Sequence, residues 1–269
     1  MFSLEATRPK PAEIEALRGV LPPATPIYLS SVIGKDPAAL AAYAKIVRMA
    51  GFEPVPHLAA RGFASAPALK DVLVRLRDEA TVTRALVIAG DRDQSVGPYV
   101  DALSIIESGT LQAAGIREVG ISGYPEGHPR IAAEGLTQAM HDKLVATRRA
   151  GLAAHIVSQF CFDPARIVAW IRYLRARGIS EPVHVGLVGP TRLSALLRFA
   201  RRCGVQASLR GLIRSGAAFA LLGPAHPGAA LRALAREGGL GEVAPHFFSF
   251  GGIVETARYA VRHADSHSP

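Results

Sequence analysis

The chain has 269 residues, 31 basic and 22 acidic, for a net charge of +9 with histidine neutral. Apolar residues make up 49% and charged ones 20%, a globular composition unlike that of a disordered polar tail. No apolar run approaches the ~20 residues of a membrane span, and Met1–Glu5 has neither a basic nor an apolar leader pattern, so a cytoplasmic protein with no membrane association is expected.

Short β-branched runs alternate with longer amphipathic ones. The expected strands are Phe2–Leu4, Ile27–Ser31, Glu53–His57, Ala85–Ala89, Glu118–Gly123, Ala154–Gln159, Val183–Leu187 and Phe247–Phe250. A helix over Ala66–Arg77 carries Leu69, Val72, Leu73 and Leu76 on one face. Another begins at Asp163 as cap with Pro164 in its first turn, presents Ile167, Trp170, Ile171 and Leu174, and stops before Gly178. A third covers Thr191–Arg202, and the Gly- and Ala-rich stretch Leu212–Val243 adds helical structure before the last strand. Eight strand–helix alternations in one chain of this length predict an α/β fold, a single (β/α)8 TIM barrel over residues 1–263 with a short tail at 264–269. The Gly-x-Gly-x-x-Gly of a dinucleotide-binding open sheet is missing after the first strand.

In such barrels the chemistry sits at the C-terminal ends of the strands. Six successive strands each bring a polar group there: Glu5, Ser30-Ser31, His57, Asp91, Tyr124 with His128, and Gln159. Each has a plain structural reading as well. Glu5 could be a solvated carboxylate, His57 a core histidine bonded to backbone, and Asp91 a turn cap, while Tyr124 and His128 lie in a loop shaped by Pro125 and Pro129. Together they point to a site. Cys161 and Cys203 make no disulfide framework and no metal-ligand spacing, so no metal is expected and Cys161 reads as packing. The arginines are scattered along helices without interleaved aromatics, and no DNA-binding motif appears, which argues against a nucleic-acid partner.

The segments Phe2-Ser-Leu-Glu-Ala-Thr-Arg-Pro9, Pro56-His-Leu58, Gly90-Asp91, Gly123-Tyr-Pro-Glu-Gly-His-Pro129 and Ser158-Gln-Phe-Cys-Phe-Asp163 resemble, in order, those of the methylenetetrahydrofolate reductases. Gly186-Leu-Val188 adds weaker agreement. The resemblance implies an oxidoreductase of one-carbon metabolism that interconverts 5,10-methylene- and 5-methyltetrahydrofolate with NADH or NADPH, through FAD or directly, and forms a homo-oligomer in some members. Its alternative is a non-redox folate-binding or one-carbon-transferring relative. By the same resemblance Glu5 is the general acid, its pKa raised by an apolar surrounding, and Asp91 is a catalytic residue lying beside flavin and pterin. Gln159 holds the pterin, and Ser31, His57, Asp91, Tyr124 and His128 fall where FAD is contacted. The sequence departs from the family where Met140, Lys143 and Thr147 replace a polar cofactor-binding cluster. It departs again at Ala89 for an arginine, at Ala195 for a glutamine, and at Ser249-Phe-Gly-Gly252 for a segment bearing an arginine. Every expected ligand is anionic, so the excess of positive charge favours their approach.

Overall fold

The computed structural model describes residues 2–30, 39–192 and 227–264. Eight parallel strands close on themselves in sequence order, β1 pairing with both β2 and β8. They are β1 (Ser3–Ala6), β2 (Pro26–Leu29), β3 (Glu53–Ala59), β4 (Arg84–Ile88), β5 (Glu118–Gly123), β6 (Ala153–Ser158), β7 (Val183–Val188) and β8 (Val243–Phe248). The helices described are α1 (Pro11–Glu15), α2 (Ala39–Met49), α3 (Ala66–Ala80), α4 (Ala102–Ile106), α5 (Thr110–Ala113), α6 (Ala133–Arg149), α7 (Pro164–Arg175), α8 (Gly228–Arg236) and α9 (Ile253–Ala264). The fold is a (β/α)8 barrel. None of these helices is long and apolar enough to cross a membrane.

Local chemistry explains the helix ends. Ser65 accepts a hydrogen bond from the Ala68 amide at the start of α3, and Asp163 accepts from the Ala165 and Arg166 amides at the start of α7. The α3 helix runs three residues past the expected Arg77 and ends where Thr81 takes a left-handed conformation at φ 49°. The faces that periodicity picks out are buried: Leu69, Val72, Leu73 and Leu76 on α3, and Ile167, Ile171 and Leu174 on α7, with Trp170 half-buried beside them. Each such side chain contributes roughly 1.5–3 kcal/mol by leaving water. Gly123 makes room for Trp170, because a Cβ there would stand 2.5 Å from the indole ring.

Only Glu118–Gly123 has the expected bounds; most other strands shift by one or two residues, β2 ending at Leu29 and β3 running on to Ala59, and two differences bear on the site. β1 extends through Ala6, so Glu5 lies inside the strand, paired with Tyr28 on one side and Phe248 on the other. β8 begins at Val243 and ends at Phe248, four residues earlier at its start than expected and two earlier at its end. Pro245, which has no N–H to give a ladder, disguises its first half. The expected helix over Thr191–Arg202 lies outside the described residues but for its first two. Of the Leu212–Val243 stretch only the end is described, α8 and the first residue of β8.

Alternation and register together decide which side chains enter the barrel. Ser3 and Glu5 turn inward from β1, Tyr28 from β2, Val55 and His57 from β3, Arg84 and Leu86 from β4, and Glu118 and Gly120 from β5. His155 and Val157 enter from β6, His184 and Gly186 from β7, and His246 and Phe248 from β8. Most barrels fill this space with layers of branched aliphatics. Here Tyr28, Val55, Leu86 and Val157 form a small apolar cluster, and imidazoles and carboxylates occupy much of the rest.

Candidate active site

The inward polar residues form two clusters at different depths. The deeper one starts at Arg84 and Glu118, whose side chains pair at 2.6 Å near the N-terminal end of the barrel. Glu118 Oε1 also lies 2.7 Å from His155 Nδ1. His155 Nε2 is 2.7 Å from the Tyr28 hydroxyl, which is 3.2 Å from His184 Nδ1. Gly120 is required beneath them, since a Cβ at that position would stand 2.7 Å from His155 Nε2. Burial is the largest influence on Glu118 and works to raise its pKa, but His155 and Arg84 outweigh it and hold the carboxyl near 2. Burial also dominates at His184 and, with the neighbouring imidazoles, lowers it to about 3. At neutral pH Glu118 is therefore charged beside Arg84, and His184 is neutral.

The shallower cluster centres on Glu5. Its carboxylate is only 14% exposed. Oε1 accepts a hydrogen bond from Ser30 Oγ at 2.7 Å, and Ser30 in turn accepts one from Thr7 at 3.0 Å. Oε2 faces two imidazoles, His246 Nε2 at 3.5 Å and His57 Nε2 at 3.6 Å. His246 is oriented from behind by Ser3 Oγ, 2.9 Å from its Nδ1. The Tyr28 ring separates the clusters, lying edge-on to His57, His155, His184 and His246 at centroid distances of 4.7–6.3 Å.

This arrangement corrects the expectation of an apolar pocket that raises the Glu5 pKa. Burial is the largest influence and does push it up, yet the His57 charge and the hydrogen bonds from His246 and Ser30 together bring it below the ordinary value. His57 lies inside the barrel facing Glu5, and burial lowers its own pKa.

Above Glu5 the rim is built by the loops. Asp91 is exposed after Gly90, which holds φ +88° with Ala59 Cβ only 3.0 Å from where a Cβ would sit. Tyr124 donates to Ser122 Oγ at 3.2 Å and meets the His128 ring edge-on at 5.2 Å. Burial raises the Tyr124 pKa and the Asp91 charge adds to it, while burial and then Arg130 lower that of His128. Gln159 is half-buried at the end of β6, its backbone N–H on the Gly123 carbonyl and its Oε1 accepting from the Phe160 amide. Gly186 makes this turn possible, since a Cβ there would lie 2.3 Å from the Ser158 carbonyl oxygen. Phe160, Phe162, Phe248 and Phe250 form an aromatic wall, with Phe160 meeting each of the others edge-on at 5.3–5.7 Å. Cys161 packs inside with burial pushing its thiol up to about 12, so it stays protonated.

Of the residues expected at the site, Glu5 and His57 come together within the barrel, and Tyr124 and His128 pair on the rim. Ser31 and Ala195 lie outside the described residues. Sequence reasoning missed Tyr28, Glu118, His155, His184 and His246. Their signal was a polar residue at an inward position of an apolar strand, as in Val183-His-Val185, readable only once the strand is known to face a barrel interior. No group of three or more His, Cys, Asp or Glu side chains among the described residues could hold a metal ion.

Two solved structures, each 14% identical, show weak similarity. A conserved protein from a locus in Enterococcus faecalis with an unknown function matches over 71% of this chain and 49% of its own, with a TM-score of 0.38. A D-hydantoinase matches over 66% of this chain and 41% of its own, also with a TM-score of 0.38. The chain thus spans less than half the length of either. The family comparison is far more specific: the methylenetetrahydrofolate reductase family matches residues 34–209, running from ahead of α2 past β7 through Asp91, the Tyr124–His128 loop and Gln159. With the closed barrel and its polar rim, that match makes this chain a member of the methylenetetrahydrofolate reductase family, a folate-related group of oxidoreductases.

Proposed function

We propose that the protein interconverts 5,10-methylenetetrahydrofolate and 5-methyltetrahydrofolate, with a nicotinamide dinucleotide as the hydride partner. The observation that carries this reading is Glu5, a carboxylate sunk at the C-terminal mouth of the barrel between Ser30, His57 and His246, beneath an aromatic wall. Opening the five-membered ring of the methylene compound breaks the bond between the methylene carbon and N10. The bond's electron pair stays on N10, and a proton must arrive there. Glu5 is the group that delivers it, leaving an N5 iminium that accepts hydride from the reduced nicotinamide. The reverse reaction uses the same groups, with Glu5 taking the N10 proton as the ring closes. Gln159, at the end of β6, fits a role in hydrogen-bonding the pterin, and exposed Asp91 supplies negative charge beside it. Phe248 and Phe250, half-buried on the wall, offer faces for a planar ring.

FAD is the usual cofactor of the family, and the residues at its expected cradle do not suit it. Met140 is buried, and Thr147 is fully buried with its hydroxyl donating to the Leu144 carbonyl. Lys143 is half-buried, its pKa lowered by burial. His57 turns toward Glu5. These side chains offer a ribose and diphosphate little to bind, so the hydride is assigned directly to the nicotinamide and the folate. Purified protein is expected to lack the flavin absorption bands and to oxidise NADH or NADPH when methylenetetrahydrofolate is added. A bound flavin would reject the direct route. Folate binding without turnover, at any pH and with either dinucleotide, would favour a non-redox folate-binding protein.

A further inference from the structure

We propose that Arg61, in the turn after β3, is a positioning residue that pins both flanks of Asp91 and so fixes where that carboxylate stands at the mouth of the barrel. The proposal rests on the reading of Asp91 as the negative charge beside the pterin. The segment from Ala89 to Asp101 joins β4 to α4 without a regular helix or strand. Such a segment holds one carboxylate in place only if something fastens it. Its fastenings come from the end of β3. The Arg61 N–H donates to the Ala89 carbonyl at 3.0 Å, and the Arg61 carbonyl accepts from the Val96 N–H at 3.1 Å. The guanidinium spans the rest, with Nη1 donating to the Arg92 carbonyl and Nε to the Val100 carbonyl, each at 2.8 Å. Gly90 lies against Ala59 at the end of β3, and a Cβ on Gly97 would come within 2.4 Å of the Phe63 and Ala64 carbonyl oxygens. Asp91 thus sits between Gly90, packed on Ala59, and Arg92, held by Arg61.

Arginine suits this place because its planar fork donates from two nitrogens in fixed directions and reaches both carbonyls at once. A lysine is a point charge that could satisfy one of them at a time. The other side of the segment is held lightly. Asp93 pairs with Arg130 of the β5 loop at 2.5 Å, but both side chains are exposed, and such a pair contributes little. Arg61 is therefore the firm point. Position matters for Asp91 because water screens an exposed charge, so it acts on a bound ring mainly by close contact. A displacement of about 1 Å is enough to weaken that contact. With the segment fastened in the folded protein, its ordering is not a cost of binding. Asp91 also leaves a mark in the protein without ligand: after burial, its charge adds to the raising of the Tyr124 pKa.

The test compares wild type with Arg61→Ala, Arg61→Lys, Asp91→Asn and the double variant Arg61→Ala with Asp91→Asn. Two properties are read. One is kcat/KM for the folate; the other, in ligand-free protein, is the pH at which Tyr124 ionises, taken from the tyrosinate absorbance that Tyr124→Phe removes. Arg61→Ala should lower kcat/KM about 10- to 100-fold, and Asp91→Asn by at least as much. Arg61→Ala should also move Tyr124 ionisation to lower pH, toward its position in Asp91→Asn, because the charge that opposes a phenolate has moved away. Arg61→Lys should keep part of both properties, and it remains informative if Arg61→Ala does not fold. On top of Asp91→Asn, the loss of Arg61 should cost no more than about twofold, since it acts through Asp91. Effects that multiply in the double variant, or a folded Arg61→Ala unchanged in both properties, would overturn the proposal. A Tyr124 shift in a protein without folate chemistry would support the positioning and refute the reaction. An enzyme in which Asp91→Asn turns over normally would keep the reaction and overturn the proposal.

Discussion

Ser30 just past β2, His57 of β3 and His246 of β8 all reach Glu5, and each neighbour lowers the cost of keeping a charge in the barrel. The consequence for catalysis is direct. Glu5→Gln keeps the shape of the side chain and removes its proton chemistry, so reduction should fall by 10²–10⁴-fold while folate affinity changes no more than a few-fold. Steady-state rates with calorimetric folate titration check both halves. Gly186 shows the same dependence on shape. A Cβ there would enter the Ser158 carbonyl and press on the Gln159 backbone, which cannot move aside as a flexible side chain would. Gly186→Ala should cost about 1–3 kcal/mol of stability and raise the folate KM, measured by urea denaturation and by initial rates.

At the scale of elements, the helices were the most legible part of the sequence. In α7 the Asp163 cap, Pro164 and an i, i+3, i+4, i+7 face all agree, and the helix forms where they place it. Removing the cap with Asp163→Ala should cost about 1 kcal/mol, visible as a lower urea midpoint with an unchanged slope. The strands were legible as elements but not at their ends. A strand of four to seven residues carries few alternations, so Glu5 reads as a strand terminus although pairing to both neighbours extends β1 past it. β8 was obscured by Pro245, and with it His246, one of the two imidazoles that face Glu5. The segment after β8 is also shaped by neighbours. Gly251 lies against the Pro190 carbonyl, where a Cβ would approach to 2.1 Å, which explains a glycine there.

For the whole molecule, a polar barrel interior links stability to pH. His184 has a pKa near 3 in the folded chain against an ordinary 6.5, so the unfolded chain binds a proton between those values that the folded one does not. Glu118, near 2 against 4.5, does the same at lower pH. Both effects have one sign: stability is full above about pH 6.5 and falls continuously toward pH 3. The urea midpoint should therefore decline over that range, and His184→Leu should flatten the upper part of the decline. A midpoint independent of pH from 7 to 4 would contradict the deeper cluster as described.

The order of strands and helices, the apolar faces of α3 and α7, and the presence of polar groups at strand ends were determined by the sequence alone. These depend on neighbours a few residues apart, where periodicity, caps and glycines act. Only the tertiary structure decided which of those groups meet. Ser3 and Glu5 touch His246 across more than 240 residues, and Tyr28 reaches both His155 and His184. A histidine between two valines reads alike whether its side chain faces solvent or the barrel axis. Closure of eight strands settles which, and in doing so turns the expected apolar pocket around Glu5 into a polar one.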